Sequence, residues 1–199
     1  VDALQYADRM DPALWSSLTV SHNGVDILPA PDVPTAVVVD PGRLHAVLEY
    51  ARLLYDWVVL DLPAIFQRMS LVTLSESDKA FLISTSELPS LHLARKAVNL
   101  LGQLGFTPER FHVVVNRVNK RDGLNGSDIE KIFNCKVHTS IPNDYFSLHR
   151  VVTLGQPLSA DCELGKAIEG FAGKIAGISA GERRRMGGLL DAAPVLSQT

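Results

Sequence analysis

Residues 55–63 read YDWVVLDLP. Trp57, Val58, Val59 and Leu60 form an unbroken apolar run, the pattern of a strand buried on both faces. The run ends on Asp61, two residues before Pro63. A carboxylate at the end of a buried strand is costly unless something there uses its charge. The stretch therefore poses a question of fold and a question of chemistry together.

Working outward, KAFLIST (79–85), FHVVVNR (111–117) and KVHTSIP (136–142) read as further strands, with VDIL (25–28) as another near the start. Helical patterns lie between them. Pro41 and Gly42 open a segment with Leu44, Val47, Leu48, Ala51 and Leu54 at helical spacing. Over 88–104, Leu91, Ala94, Val98 and Leu101 share one face, with Gly105 as a stop and Pro108 beyond it. Ser127 and Glu130 match a capping box opening a helix over 128–134. A last helix is expected over 163–177. Alternating strands and helices predict βαβ units: an α/β fold with a mostly parallel sheet covered by helices on both faces. Residues 179–199 are small, polar and poorly periodic, and read as a flexible tail after a domain spanning 1–178.

The chain has 199 residues, 46% of them hydrophobic, which suffices for one domain with a sizeable core. A formal charge of -3 with interspersed signs argues against a dedicated nucleic-acid binder. No apolar run reaches the roughly 18 residues of a membrane span. VDALQYADRMD has neither the basic start nor the apolar stretch of a signal peptide. Cys135 and Cys162 lack metal-ligand spacing and are read as reduced thiols, which predicts a cytoplasmic protein. The six histidines are scattered, so no metal site is expected from them. A chain opening on valine suggests a processed product or a piece of a longer protein.

In open parallel sheets, ligands bind beyond the carboxyl ends of the strands. That rule selects Asp61 with Pro63, Ser84 to Ser86, Asn116 with Arg117, and Pro142 with Asn143 and Asp144. An aspartate in this position can hold Mg²⁺ beside phosphates. An asparagine amide can donate to and accept from an adenine edge. The plainer alternatives stay open: Asp61 as a turn cap, Asn116 as a turn residue, NRVNKRD (116–122) as a solvated loop, and Arg183 to Arg185 as part of a solvated tail.

Taken in order, LQYADRMDPALW, GVDILPAP, YDWVVLDLP, ISTSELPSLHLARKAVNLLGQLG, HVVVNRVNK, SIPND and VTLGQPLSA resemble the MinD/ParA ATPases with a deviant P-loop. The likeness is nearest to the CpaE/TadZ branch, which is associated with assembly and polar placement of Flp/Tad pili. It covers the chain to about residue 178 and implies a P-loop NTPase-like fold of the SIMIBI type. It further implies ATP and Mg²⁺ as cofactors, a homodimer, pilus-assembly proteins as partners, and a place at the inner membrane near a cell pole. By the same resemblance, Asp61 matches the Walker-B-like aspartate that holds the Mg²⁺ shell. Asn116 matches the residue that reads adenine, with Arg117 beside the base. Pro142, Asn143 and Asp144 match the turn around adenine and ribose.

The sequence departs from that family at its defining element, a glycine-rich loop followed by an acidic switch, neither of which is present. No glycine-rich loop of the KGGxGK[ST] type occurs in residues 1–199; Gly165-Lys166 and Gly173-Lys174 lack its upstream glycine and following Ser/Thr. A phosphate cradle needs successive backbone N–H groups at a strand-to-helix turn. The expectation is therefore the C-terminal portion of such an ATPase domain, without the first strand and P-loop, and without ATP hydrolysis of its own. The two strands flanking the gap would expose unpaired edges, open to pairing with each other or with another chain. The alternative is a non-catalytic interaction hub of the same fold. A flavodoxin-like enzyme or receiver is a weaker third reading, since neither an acidic cluster after a first strand nor a GxSxG elbow is present.

Overall fold

The computed structural model describes residues 2–30, 40–63, 68–107, 109–119 and 126–178. They fall into two compact units, one ending at Asp78 and the other beginning at Lys79.

In the first unit, α1 (Asp2–Gln5) and a 3-10 turn (Ala7–Arg9) lead to α2 (Pro12–Leu18). Asp11 caps α2 by accepting the Leu14 N–H at 2.8 Å, and Pro12 occupies the first turn, where no N–H is needed. β1 (Val20–His22) and β2 (Val25–Ile27) form an antiparallel hairpin. Its turn residues, Asn23 and Gly24, both take positive φ, the geometry that matches strand twist. α3 (Pro41–Leu54) starts on the Asp40 cap, and α4 (Arg68–Glu76) follows. Ala3, Ala7, Trp15, Val47 and Ala51 make the core of this unit. Trp15 Nε1 donates to the Tyr55 hydroxyl at 2.8 Å, and that hydroxyl donates to Asp26 at 2.6 Å, which ties the hairpin to the end of α3. The same bond raises the pKa of Tyr55, while Ser21 and Tyr55 together lower that of Asp26.

Two expectations are corrected in this unit. VDIL does contribute a strand, but to the two-stranded hairpin and not to a parallel sheet. Residues 57–60 are not a strand: Trp57 is 60% exposed and Val59 91% exposed, and the run joins no ladder among the described residues. An apolar run expresses a demand for burial on both faces, but a strand also needs a neighbour for its N–H and C=O groups. None is supplied among the described residues.

The second unit contains the parallel sheet. β3 (Ala80–Thr85), β4 (Phe111–Val118) and β5 (Val137–Pro142) pair in the order β3-β4-β5. α5 (Leu88–Gln103) connects the first pair, and α6 (Gly126–Phe133) lies between the second. α7 (Tyr145–Leu154) and α8 (Glu163–Ile175) follow β5. On one face of the sheet, Val113 and Val115 pack with Leu91 and Ala94 of α5 and Ile129 and Phe133 of α6. Alternation turns Phe81 and His112 to the other face, where Phe171 of α8 meets Phe81 edge-on at 5.2 Å. The expected parallel sheet with helices on both faces is therefore present.

Local signals explain most boundaries. Gly105 takes φ +85 after α5, with Phe106 N–H bonded to Leu101 C=O and Gly105 N–H to Gly102 C=O, the two bonds of a Schellman ending. The capping-box reading is corrected: Ser127 lies inside α6, and Glu130 accepts the Val137 N–H at 3.0 Å, bracing β5. α8 begins where Cys162 Sγ accepts the Gly165 N–H at 3.2 Å.

Candidate functional site at the strand ends

The ladder between β4 and β5 breaks its register at the carboxyl end. Val115 pairs with Ser140, and the next pair is Val118 with Pro142. Asn116 and Arg117 thus stand opposite Ile141 alone, a β-bulge of the kind that re-aims side chains beside functional sites. Arg117 sits at φ +56 and donates its N–H to Asn116 Oδ1 at 2.9 Å. Beyond the bulge, Asn143 donates its N–H to Val118 C=O and its Nδ2 to Asn119 Oδ1, both at 3.1 Å. The turn after β5 is thereby fastened to the end of β4.

Asp144 has a defined task. One carboxylate oxygen accepts the Ser147 N–H at 3.0 Å and the other the Ser147 hydroxyl at 2.7 Å, capping α7. The hydroxyl bond, then the backbone bond, hold its pKa below the usual carboxylate value. That stabilisation is complete above the ordinary carboxylate pKa near 3.8 and is lost as pH falls through it toward the lowered folded value. Acidification below that point is expected to fray α7 first, read as faster amide exchange at Ser147 and Leu148 than in α5.

On the neighbouring strand, Thr85 pairs with Asn116. Ser90, near the start of α5, accepts the Thr85 N–H at 3.0 Å and lies 3.0 Å from Ser84 Oγ. Ser90 completes this edge and was not singled out from the sequence; its position in the first turn after a strand was the available signal.

The structure thus brings Asn116, Arg117, Pro142, Asn143 and Asp144 to adjacent strand ends. Asp61 belongs to the first unit, in the irregular run before Pro63, and is exposed. Of these, Asn116 has the donor and acceptor pair that an adenine edge calls for. Asn116 Oδ1 already accepts one N–H but keeps a second lone pair, and its amide nitrogen can donate. Asp61 offers an oxygen ligand of the type Mg²⁺ takes, but one carboxylate alone does not make a site. NRVNKRD runs into residues 120–122, which lie outside the described set, as does the tail at 179–199 with its arginines.

The sequence also gave no warning that His45, Glu49 and Glu76 would converge from α3 and α4. His45 Nδ1 lies 3.1 Å from Glu76, and Arg52 pairs with Glu49 while its Nη1 sits 3.7 Å from the Glu76 carboxylate. One resident guanidinium thus already engages both carboxylates of the cluster.

Comparison with known proteins places this geometry. No family model matches the chain. The septum site-determining protein MinD of Thermotoga maritima is 25% identical over 158 residues, covering 76% of this chain. The chain spans only 58% of that relative's length. Among solved structures, a ParA family ATPase from Chlorobium tepidum superposes with a TM-score of 0.75 at 22% identity, over 84% of this chain and 72% of that one. MinD from Aquifex aeolicus gives 0.71 at 23% identity, over 90% and 75%. A chain of the MinC:MinD cell division protein complex from Aquifex aeolicus gives 0.68 at 22% identity, over 100% and 76%. The parallel sheet, its flanking helices and these likenesses together establish that the chain has the α/β fold of the MinD/ParA ATPases.

Proposed function

We propose that this chain is a MinD/ParA-like nucleotide-binding protein of the CpaE/TadZ type, acting in assembly or polar localisation of Flp/Tad pili. The observation that carries the nucleotide part is the bulge at Asn116 and Arg117, fastened through Asn143 to the turn after β5. It presents an amide, a guanidinium and a proline turn at neighbouring strand ends, where open α/β sheets bind ligands. In this reading Asn116 bonds the adenine edge, Arg117 lies beside the base, and Pro142 and Asn143 close around base and ribose. Asp144 shapes that turn through its cap on α7. Asp61 holds the Mg²⁺ shell.

ATP with Mg²⁺ is the ligand, and hydrolysis by these residues alone is not part of the reading. Phosphoryl transfer needs a positioned lysine and backbone donors, and no KGGxGK[ST] loop lies within the sequence. A homodimer, pilus-assembly partners and a peripheral place on the inner membrane at a cell pole complete the proposal. No helix among the described residues is long and apolar enough to cross a membrane.

Calorimetric titration with MgATP tests this. Asn116→Ala is expected to weaken binding about tenfold, the worth of a hydrogen bond left unmade in a binding site. Asp61→Ala is expected to make ATP affinity indifferent to Mg²⁺. Affinity unchanged in both variants would remove these residues from the site.

The alternative, a non-catalytic interaction hub, draws support from α7. None of its residues is buried, and Phe146 and Val152 are more than 80% exposed. An apolar helix left uncovered is a surface suited to a partner. Partner capture indifferent to nucleotide would favour the hub.

A further inference from the structure

Two histidines meet at the foot of the sheet, at the opposite end of the strands from Asn116. His112 of β4 and His138 of β5 have ring centroids 4.8 Å apart. Phe81 of β3 and Phe171 of α8 close the group, Phe171 lying 5.8 Å from His138 in an edge-on arrangement. His138 is the extra residue of a register shift, since Val113 pairs with Val137 and Val114 with Thr139. Its Nε2 is buried and has no hydrogen-bond partner.

The surroundings of this pair oppose a proton. A buried imidazolium N–H without an acceptor bears a larger desolvation cost than the neutral ring. Burial lowers the pKa of both histidines. His138 is further lowered by His112, Lys174 of α8 and Lys79 before β3, and His112 by Lys79. α8 also carries Glu163, Lys166 and Glu169, and Lys136 precedes β5, but the shifts do not trace to these. Every charge acting on the pair is therefore positive.

We propose that the His112–His138 pair makes the docking of α8 on the sheet acid-sensitive, with protonation of the pair releasing Phe171 from the aromatic group. The direction follows from linkage. Lifting α8 removes the cover of Phe171 and the charge of Lys174, so the lowered pKa of His138 moves back toward its ordinary value near 6.5 and that of His112 follows as its ring is uncovered, while Lys79 continues to act on both. Docking is thus fully stable above about pH 6.5 and weakens as pH falls below it, because the lifted state binds the extra protons. Phe81 and Phe171 give the switch its lever, since the helix leans on the sheet through the same rings that the protons would charge.

Hydrogen exchange of the full chain between about pH 7.5 and 5.5, corrected for intrinsic rates, tests this. Protection of α8 amides is expected to fall about tenfold or more, while Val113 to Val115 change less than about twofold. His138→Phe, which keeps a ring against Phe81 and Phe171 without a titrating nitrogen, is expected to flatten the dependence. NMR titration of the unaltered protein provides a second reading free of any repacking in the variant, with His112 and His138 expected to titrate below about 6.5. Equal acid sensitivity in the variant, parallel loss of protection in β4, or either histidine titrating at or above that value would overturn the proposal.

Discussion

Phe133→Ala is expected to lower the unfolding free energy of the sheet-bearing unit by about 3–5 kcal/mol. Phe133 is 1% exposed and is among the largest fully buried side chains. It packs with Leu91 and Ala94 of α5, Val113 and Val115 of β4, and Ile129 of its own helix. Removing the ring leaves a cavity where α5, α6 and the sheet meet, and three elements cannot collapse onto one point at once. Domains hold only about 5–15 kcal/mol in total, so a change of this size approaches loss of the fold. Urea denaturation should show the midpoint falling with little change in slope. Phe133→Leu, closer in volume, should recover most of the loss.

Gly165→Ala is expected to destabilise the same unit by about 1–3 kcal/mol, although alanine is the better helix former by about 1 kcal/mol. A Cβ at this position would lie 2.2 Å from the Ser159 carbonyl oxygen and 3.0 Å from Ala160 Cα. Both obstacles are backbone, so the turn leading into α8 would have to move as a whole. Gly102, inside α5, meets nothing within 4 Å. Gly102→Ala should therefore stabilise slightly, and the two substitutions should shift the urea midpoint in opposite directions. A stabilising Gly165→Ala would show that the turn yields more easily than its contacts imply.

Much of the fold was legible because periodicity reports burial directly. The stripe of Leu91, Ala94 and Leu101 became the buried face of α5, and Gly105 ended the helix in the left-handed region. Three apolar runs became β3, β4 and β5. The run at 57–60 misled because composition can state that a segment needs covering but cannot supply its neighbour. Asn23-Gly24 was a hairpin signal standing in plain view, and reading it would have placed VDIL in an antiparallel pair. α7 was not read from the sequence although Phe146, Leu148, Val151 and Val152 are apolar; none of its residues is buried. Its Asp144 cap and following Gly155 were the available marks.

At the strand ends, residue identity was legible and arrangement was not. That Asn116 and Pro142 would lie at carboxyl ends followed from where the apolar runs stop. The bulge depends on how two strands 20 or so residues apart align, which neither strand encodes alone. The Ser147 bonds that occupy Asp144 likewise belong to a helix the sequence did not reveal.

Among the described residues, three that are not glycine hold positive φ, and two of them, Asn23 and Asn134, are of the type that tolerates it. Arg117 is the exception. A long side chain in that region is held about 1–2 kcal/mol above its relaxed backbone, and glycine would relieve the strain with no steric loss. Random substitution would therefore tend to drift toward glycine or asparagine here if backbone shape were all that mattered. An arginine at such a spot sets the relaxation of its own backbone against the charge that its side chain brings to the strand end. It makes residue 117 a position where thermal robustness could be improved by erasing the side chain that gives the strand end its charge.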